Sequence, residues 1–231
     1  MNQKRATMAA LAAMAVGSAQ AQVLHDYENL TEGFLGTSYT ANGITYRDVN
    51  NVAGVYADGS SFAVGELGTN LAVERAKFFY DDFADYGSPN NALTFGDFYV
   101  SGDNLSIGAL ASVFIDFPTL GNAVSFDIAY YENGPWGNIE YHLDALRNGQ
   151  TVASTSFTLT GSDGRDNAAF RTMSLSGATF DSLHLYATLN GTYTAPRGMI
   201  DDLRITPVPE PATLTALGIA SVAFLRRRRK G

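Results

Sequence analysis

Apolar and polar residues alternate along much of the chain between residues 22 and 207. Val124, Phe126, Ile128 and Tyr130 share one parity, with Ser125, Asp127 and Ala129 between them. Ile139, Tyr141, Leu143 and Ala145 stand against Glu140, His142 and Asp144 in the same way. Leu183, Leu185, Ala187 and Leu189 oppose Ser182, His184, Tyr186 and Thr188, and Ala111, Val113, Ile115 and Phe117 alternate with polar or mixed residues. Successive side chains of a strand point to opposite faces, so each run predicts a strand with one apolar face. Asn42-Gly43, Asp58-Gly59, Asn133-Gly134, Asn148-Gly149 and Asn190-Gly191 punctuate the runs. Such pairs supply the positive φ angles of tight hairpins. No helical stripe longer than two turns occurs in this span, and Leu67 to Phe79 is its least regular stretch. The pattern predicts ten to twelve strands in an all-β, antiparallel two-sheet sandwich of jelly-roll type.

The pattern changes at both ends. Lys4 and Arg5 precede an apolar run from Ala6 to Gly17, and Ala19-Gln20-Ala21 forms a small-x-small site. Residues 1–21 therefore read as a secretory signal peptide, cut before Gln22 by signal peptidase. At the other end, Val208-Pro209-Glu210-Pro211 is stiff and extended, because each proline fixes its own backbone and restrains the residue before it. Ala212 to Leu225 is apolar and uncharged, and Arg226, Arg227, Arg228, Arg229 and Lys230 follow.

This three-part tail, residues 208–231, resembles the PEP-CTERM sorting signal. The resemblance implies a short membrane helix over 212–225 and processing by an exosortase. Fourteen helical residues span about 21 Å against about 30 Å of hydrocarbon, a fit suited to transient anchoring. The basic end should stay cytoplasmic, which leaves the body on the periplasmic side of the inner membrane. The signal peptide requires the same topology. The expected route ends at the cell surface or the extracellular matrix.

Composition narrows the partners of the body, residues 22–207. Of the 15 basic residues, 2 lie in the signal and 5 in the tail; of the 23 acidic ones only Glu210 lies outside the body. The body thus holds 8 basic and 22 acidic residues, net −14, with Lys77 as its single lysine. Nucleic acid, which is bound through basic patches, is excluded as a partner class. The chain has no cysteine, so stability must come from the core or a metal.

The body is similar to jelly-roll domains of the carbohydrate-binding-module kind. The residues that carry this likeness are His25-Asp26-Tyr27-Glu28, Pro89-Asn90-Asn91-Ala92-Leu93, Asn148-Gly149 and Ile200-Asp201-Asp202-Leu203. The resemblance implies that first and last strands meet and that a structural calcium ion joins a carboxylate from each. Asp26, Glu28 and Asp201 are the candidates, with backbone carbonyls completing the six to eight oxygens calcium takes. Alternation places Asp201 on the side of Leu203 and Ile205; the competing reading is a carboxylate that accepts backbone N–H groups.

Ring-bearing loops are the candidates for a sugar ligand. Trp136, the one tryptophan, lies in an Asn-Gly-Pro loop with Tyr131 nearby, and Tyr80 and Asp82 sit in a segment mixing aromatics with aspartates. Core packing is the alternative for each. Glu140, His142 and Asp144 with His184 and Tyr186 can line a shallow groove or form a plain solvated face. Residues two apart on a strand are about 6.8 Å apart, too far for a catalytic triad. No metalloprotease helix motif, nucleophile elbow or phosphate-binding loop is present. The reading is an exported, non-catalytic matrix protein that binds extracellular polysaccharide. A purely structural or adhesive component and a glycan-active hydrolase or lyase are the alternatives.

Overall fold

A computed structural model describes residues 22–56, 58–66, 71–75, 91–95, 100–101, 104–105, 111–131, 139–158, 168–196 and 198–208. Residues 1–21, expected to be a signal peptide, and the tail beyond Val208 lie outside these residues. Every regular element among them is a strand. In chain order they are β1 (Val23–His25), β2 (Gly33–Gly36), β3 (Tyr39–Ala41), β4 (Ile44–Arg47), β5 (Gly54–Val55) and β6 (Ser61–Phe62). Next come β7 (Leu71–Arg75), β8 (Asn91–Phe95), β9 (Val100–Ser101), β10 (Asn104–Leu105) and β11 (Ser112–Tyr131). The last are β12 (Ile139–Arg147), β13 (Gln150–Thr158), β14 (Ala168–Leu189), β15 (Thr192–Thr194) and β16 (Gly198–Pro207).

All pairings are antiparallel, and twelve of the strands form one continuous sheet that folds over itself. The two long strands do the folding. The first part of β11 pairs with the last part of β14 (Ser112↔Tyr186 to Asp116↔Ser182), flanked by β12–β13 and by β4–β3. The second part of β11 pairs with the first part of β14 (Ala123↔Ser176 to Tyr131↔Ala168), flanked by β16, β8, β7 and β2. These are the two layers of the expected sandwich, and one core cluster joins them. Tyr130 of the second layer meets Tyr141 and Phe157 of the first at 6.2 and 5.3 Å between ring centroids.

The strands switch layers at a corner. The register slips between Asp116 and Ala123 on β11, opposite Ser176 to Phe180 on β14. Gly177, at φ +89°, supplies the backbone turn that side chains disfavour. Phe180 is fully buried there and lies so close to Gly121 that a Cβ on that glycine would come within 2.6 Å of the ring.

The alternating runs occupy the positions expected. Val124, Phe126, Ile128, Tyr130, Ile139, Tyr141, Leu143, Ala145, Leu183, Leu185, Ala187 and Leu189 are all in the core. Asn42-Gly43, Asn148-Gly149 and Asn190-Gly191 turn hairpins with positive φ at both residues. Asn133-Gly134 lies outside the described residues.

One phase expectation is corrected. Ser125 pairs with Arg204 but Asp127 pairs with Asp201, so β16 carries an extra residue at this point. Asp202 absorbs it at φ +51°. The bulge reverses the alternation. Asp201 shares the face of Asp127, while Ile200, Leu203 and Ile205 enter the core. Asp201 is nevertheless fully buried, as are Met199 and Ala129, so both faces of the second layer are covered here.

Candidate functional site

The three carboxylates expected to hold a cation come from segments that do meet. β1 runs along β16, with His25 opposite Leu203, so Asp26 and Glu28 follow the first strand close to the bulge. Asp201 Oδ1 accepts the Asp202 N–H at 2.7 Å, Asp26 Oδ1 that of Glu28 at 3.3 Å, and Glu28 Oε1 that of Asn91 at 2.9 Å. Asn91 in turn donates its side-chain amide to the Tyr27 and Leu30 carbonyls. Tyr27, at φ +57°, turns the chain out of β1. Among the described residues no three His, Cys, Asp or Glu side chains are close enough to hold a metal ion. A cation here would draw most of its oxygens from backbone carbonyls. Beneath this turn Tyr46 Oη is shared by Tyr27 Oη (2.8 Å) and His25 Nδ1 (3.2 Å), and burial lowers the His25 pKa against the pull of Asp26.

Trp136, Tyr80 and Asp82 lie outside the described residues. Tyr131 is the last residue of β11, opposite Ala168. Of the sorting motif only Val208 is described. Its N–H donates to the Leu120 carbonyl at 2.7 Å, while Pro209, Glu210, Pro211, Arg226, Arg227, Arg228 and Arg229 lie beyond.

A different surface carries the densest chemistry. On the outer face of the first layer, register sets side chains in rows across the strands. Arg47, Phe114, His184, Asp144 and Ser154 form one row, and Ser112, Tyr186, His142 and Ser156 the next. Tyr193, Thr188, Glu140 and Thr158 form a third. Adjacent strands are about 4.8 Å apart, close to the stacking distance of flat rings. The cross-strand pairs Phe114–His184 and His142–Tyr186 stack accordingly, and His184 and Tyr186 lean together along β14. Phe114 and His184 lie 4.1 Å apart and 3° from parallel, His184 and Tyr186 4.4 Å apart, and Tyr186 and His142 4.7 Å apart. Tyr193 meets Tyr186 edge-on at 5.4 Å, and the Arg47 guanidinium covers the far face of the strip, 4.8 Å from the Phe114 centroid.

The polar atoms of this strip are held in place. Ser112 Oγ bonds His184 Nε2 and Thr188 Oγ1 bonds His142 Nε2, each at 2.9 Å. Ser154 donates to Asp144 and Ser156 to Glu140. The Tyr186 hydroxyl reaches Asp144 at 3.3 Å. Burial pushes His184 down to about 4 against the pull of Asp144, and pushes Tyr186 up to about 12 with Asp144 adding to it. Both are neutral at physiological pH. Arg47 also grips Asp116 through two nitrogens and pairs with Asp48. Beyond it the strip opens into a depression of about 390 Å³ bordered by Arg47, Phe114, Asp116, Leu146, Asp181 and Ser182. At the other end β5 approaches β15 so tightly that a Cβ on Gly54 would lie 2.1 Å from the Tyr193 carbonyl oxygen.

Alternation alone identifies Glu140, His142, Asp144, His184 and Tyr186 as one polar face. It does not include Phe114, Arg47 or Tyr193, which reach the strip only through strand pairing. The arrangement offers flat ring edges, hydrogen-bonded imidazoles and fixed carboxylates in a row. That is chemistry for binding hydroxyl groups. Glu140 Oε2 lies 3.7 Å from His142 Nε2 along one strand.

Comparison with known proteins gives three kinds of result. No curated protein matches the chain. Among solved structures, a cleaved adhesin domain of Lys-gingipain from Porphyromonas gingivalis is similar at 12% identity and a TM-score of 0.46, over 82% of this chain and 99% of that one. The CBM27-1 module of Caldicellulosiruptor saccharolyticus, solved with mannohexaose, is similar at 12% identity and a TM-score of 0.45, over 82% and 99% of the two chains. Residues 207–230 match the model of the PEP-CTERM protein-sorting motif, which begins where β16 ends, so the chain is an exported protein carrying a PEP-CTERM tail that sorts it to the cell surface.

Proposed function

We propose that this exported protein is a non-catalytic surface or matrix component that binds a neutral extracellular polysaccharide along the ring strip of its first layer. The observation that supports it is the unbroken stack of Phe114, His184, Tyr186 and His142, flanked by the carboxylates of Asp144 and Glu140. Stacked rings lose little freedom when a ligand lands on them, which lowers the cost of binding. Carboxylates fixed by serines accept sugar hydroxyl protons. A body at net −14 repels polyanions, which favours an uncharged glycan. In this reading signal peptidase and an exosortase process the two ends, and the tail holds the body at the inner membrane until it is released.

The test is retention of the body, residues 22–207, on a panel of insoluble and immobilised polysaccharides. Tyr186→Ala is expected to weaken binding about tenfold, equivalent to ~1.4 kcal/mol, at a temperature below its own cooperative melting transition so that the folded state is compared. Full binding by Tyr186→Ala together with loss in Trp136→Ala would move the site to the loop. No retention on any glycan would leave a structural matrix role.

We further propose a structural calcium ion between Asp201 and the Asp26–Glu28 turn. The complete burial of Asp201 beside a left-handed bulge supports it. Chelation by EDTA is expected to lower the thermal midpoint by several degrees and calcium to restore it. A superimposable melting curve with and without chelator would remove the ion from the account.

A further inference from the structure

The sorting tail leaves the folded body without a linker. Pro207 still pairs with Gly121, and the Val208 N–H is bonded to the Leu120 carbonyl. From Val208 to Ala212, the first residue of the apolar segment, is four residues, so the extended chain reaches at most about 14 Å. The polar zone of one leaflet is itself roughly 5–8 Å thick. A body tied this closely has one end against the membrane whenever the apolar segment is inserted.

The tie also determines which end. The corner where β11 and β14 change layers holds the exit at Val208. The Asn148-Gly149 turn is pinned there by the bond from Asn148 N–H to Asp181, and the Asn42-Gly43 turn lies against Pro118. The chain also enters at this corner: Val23 lies opposite Ile205, three residues before the exit. Val23 and Leu24 are 39% and 47% exposed, two of the five large apolar side chains exposed among the described residues.

The charge of this rim contrasts with the rest of the body. The two turns, Pro118 to Leu120 and Ser176 to Thr179 contain no ionisable side chain, in a body with 22 acidic residues. Charges of both signs border it: Arg204 opposite Leu24, Arg147 before the Asn148 turn, and Asp116 and Asp181. An anionic lipid surface repels the acidic body at large but not this rim.

We propose that the corner rim formed by the Val23–Leu24 strand, Pro118 to Leu120 and the Val208 exit is a membrane-facing surface that seats the body on the outer leaflet of the inner membrane while the tail is uncut. The proposal rests on the reading that the tail inserts. Because both chain ends leave at this rim, the signal and tail segments address the same bilayer face without straining the fold.

The absence of cysteine makes the test direct. Leu24→Cys, Thr119→Cys and, at the far end of the first layer, Thr192→Cys are introduced singly into the full chain. Each is labelled with an environment-sensitive fluorophore and reconstituted in phosphatidylethanolamine–phosphatidylglycerol vesicles containing a headgroup-level nitroxide lipid. The labels at positions 24 and 119 are expected to be quenched at least twofold more than that at 192. Equal quenching in protein that floats with the vesicles overturns the proposal while leaving the tail reading intact. Protein that fails to float overturns the tail reading and the membrane-facing rim with it.

Discussion

Replacing Phe180 with alanine is expected to lower the unfolding free energy by about 3–5 kcal/mol, the range for large aromatic truncations in a core. Phe180 is fully buried, sits edge-on to Phe117 at 5.8 Å, and fills the space left by the missing side chain of Gly121. It closes the corner through which both long strands pass, so the cavity opens between the layers rather than within one. No disulfide compensates. Urea denaturation checks the value, with an unchanged m-value as the sign that the unfolded state is unaltered. The reciprocal change is Gly121→Val, whose added carbons enter the volume of the ring. Each single variant is destabilised. The double variant Gly121→Val with Phe180→Ala is expected to fall well short of the sum, because the new side chain occupies the vacated space. A loss under about 1 kcal/mol for Phe180→Ala would mean that the corner is held elsewhere.

That corner shows why part of the fold is visible in the amino-acid sequence and part is not. Period-two alternation depends only on neighbours along the chain. Val124 to Tyr130, Ile139 to Ala145 and Leu183 to Leu189 therefore identify their own buried faces. The Asn-Gly hairpins are legible for the same local reason, since the positive φ pair is a property of two residues. Pro118, Gly121 and Gly177 look locally like strand ends, yet β11 and β14 run through them. Continuity there is decided by packing against Phe180. The bulge at Asp202 is equally silent. Its extra residue is defined against Phe126 on another strand, and one uncounted residue moves Asp201 to the opposite face. The ring strip follows the same rule. His142, Asp144, His184 and Tyr186 are visible as polar positions, but their stacking with Phe114 under Arg47 depends on which strands pair and in what register. The rings chosen from loop composition, Trp136 and Tyr80, fall outside the described residues, and the surface that the geometry favours is built from strands.

Acidification from pH 7 to pH 5 is expected to destabilise the body progressively, with His184 as the main contributor. Its imidazole lies between Phe114 and Tyr186 and bonds Ser112, and burial holds its pKa at about 4 against 6.5 for an unperturbed histidine. Above pH 6.5 the folded and unfolded states are both neutral at this site. Between 6.5 and about 4 the unfolded chain takes up a proton that the folded one refuses, so stability falls with pH in this window and levels off below it. A shift of this size corresponds to roughly 3 kcal/mol, which solvent access at the sheet surface reduces to about 2. His25, depressed by burial beside Tyr46, adds loss of the same sign. Urea midpoints at pH 7, 6 and 5 read the slope before the carboxylates begin to titrate in bulk. His184→Gln, which keeps a hydrogen-bonding side chain without a titrating ring, is expected to flatten most of it; a slope unchanged in that variant would assign the loss to His25 or to the carboxylates. In the folded protein the imidazole takes its proton only near pH 4, so glycan binding by the folded body should hold through this window and weaken only when a positive charge enters the strip beside Arg47 at more acid pH. The ring that packs this surface in its neutral form thus separates the two losses: stability falls first, and binding by the remaining folded protein falls only near the folded pKa.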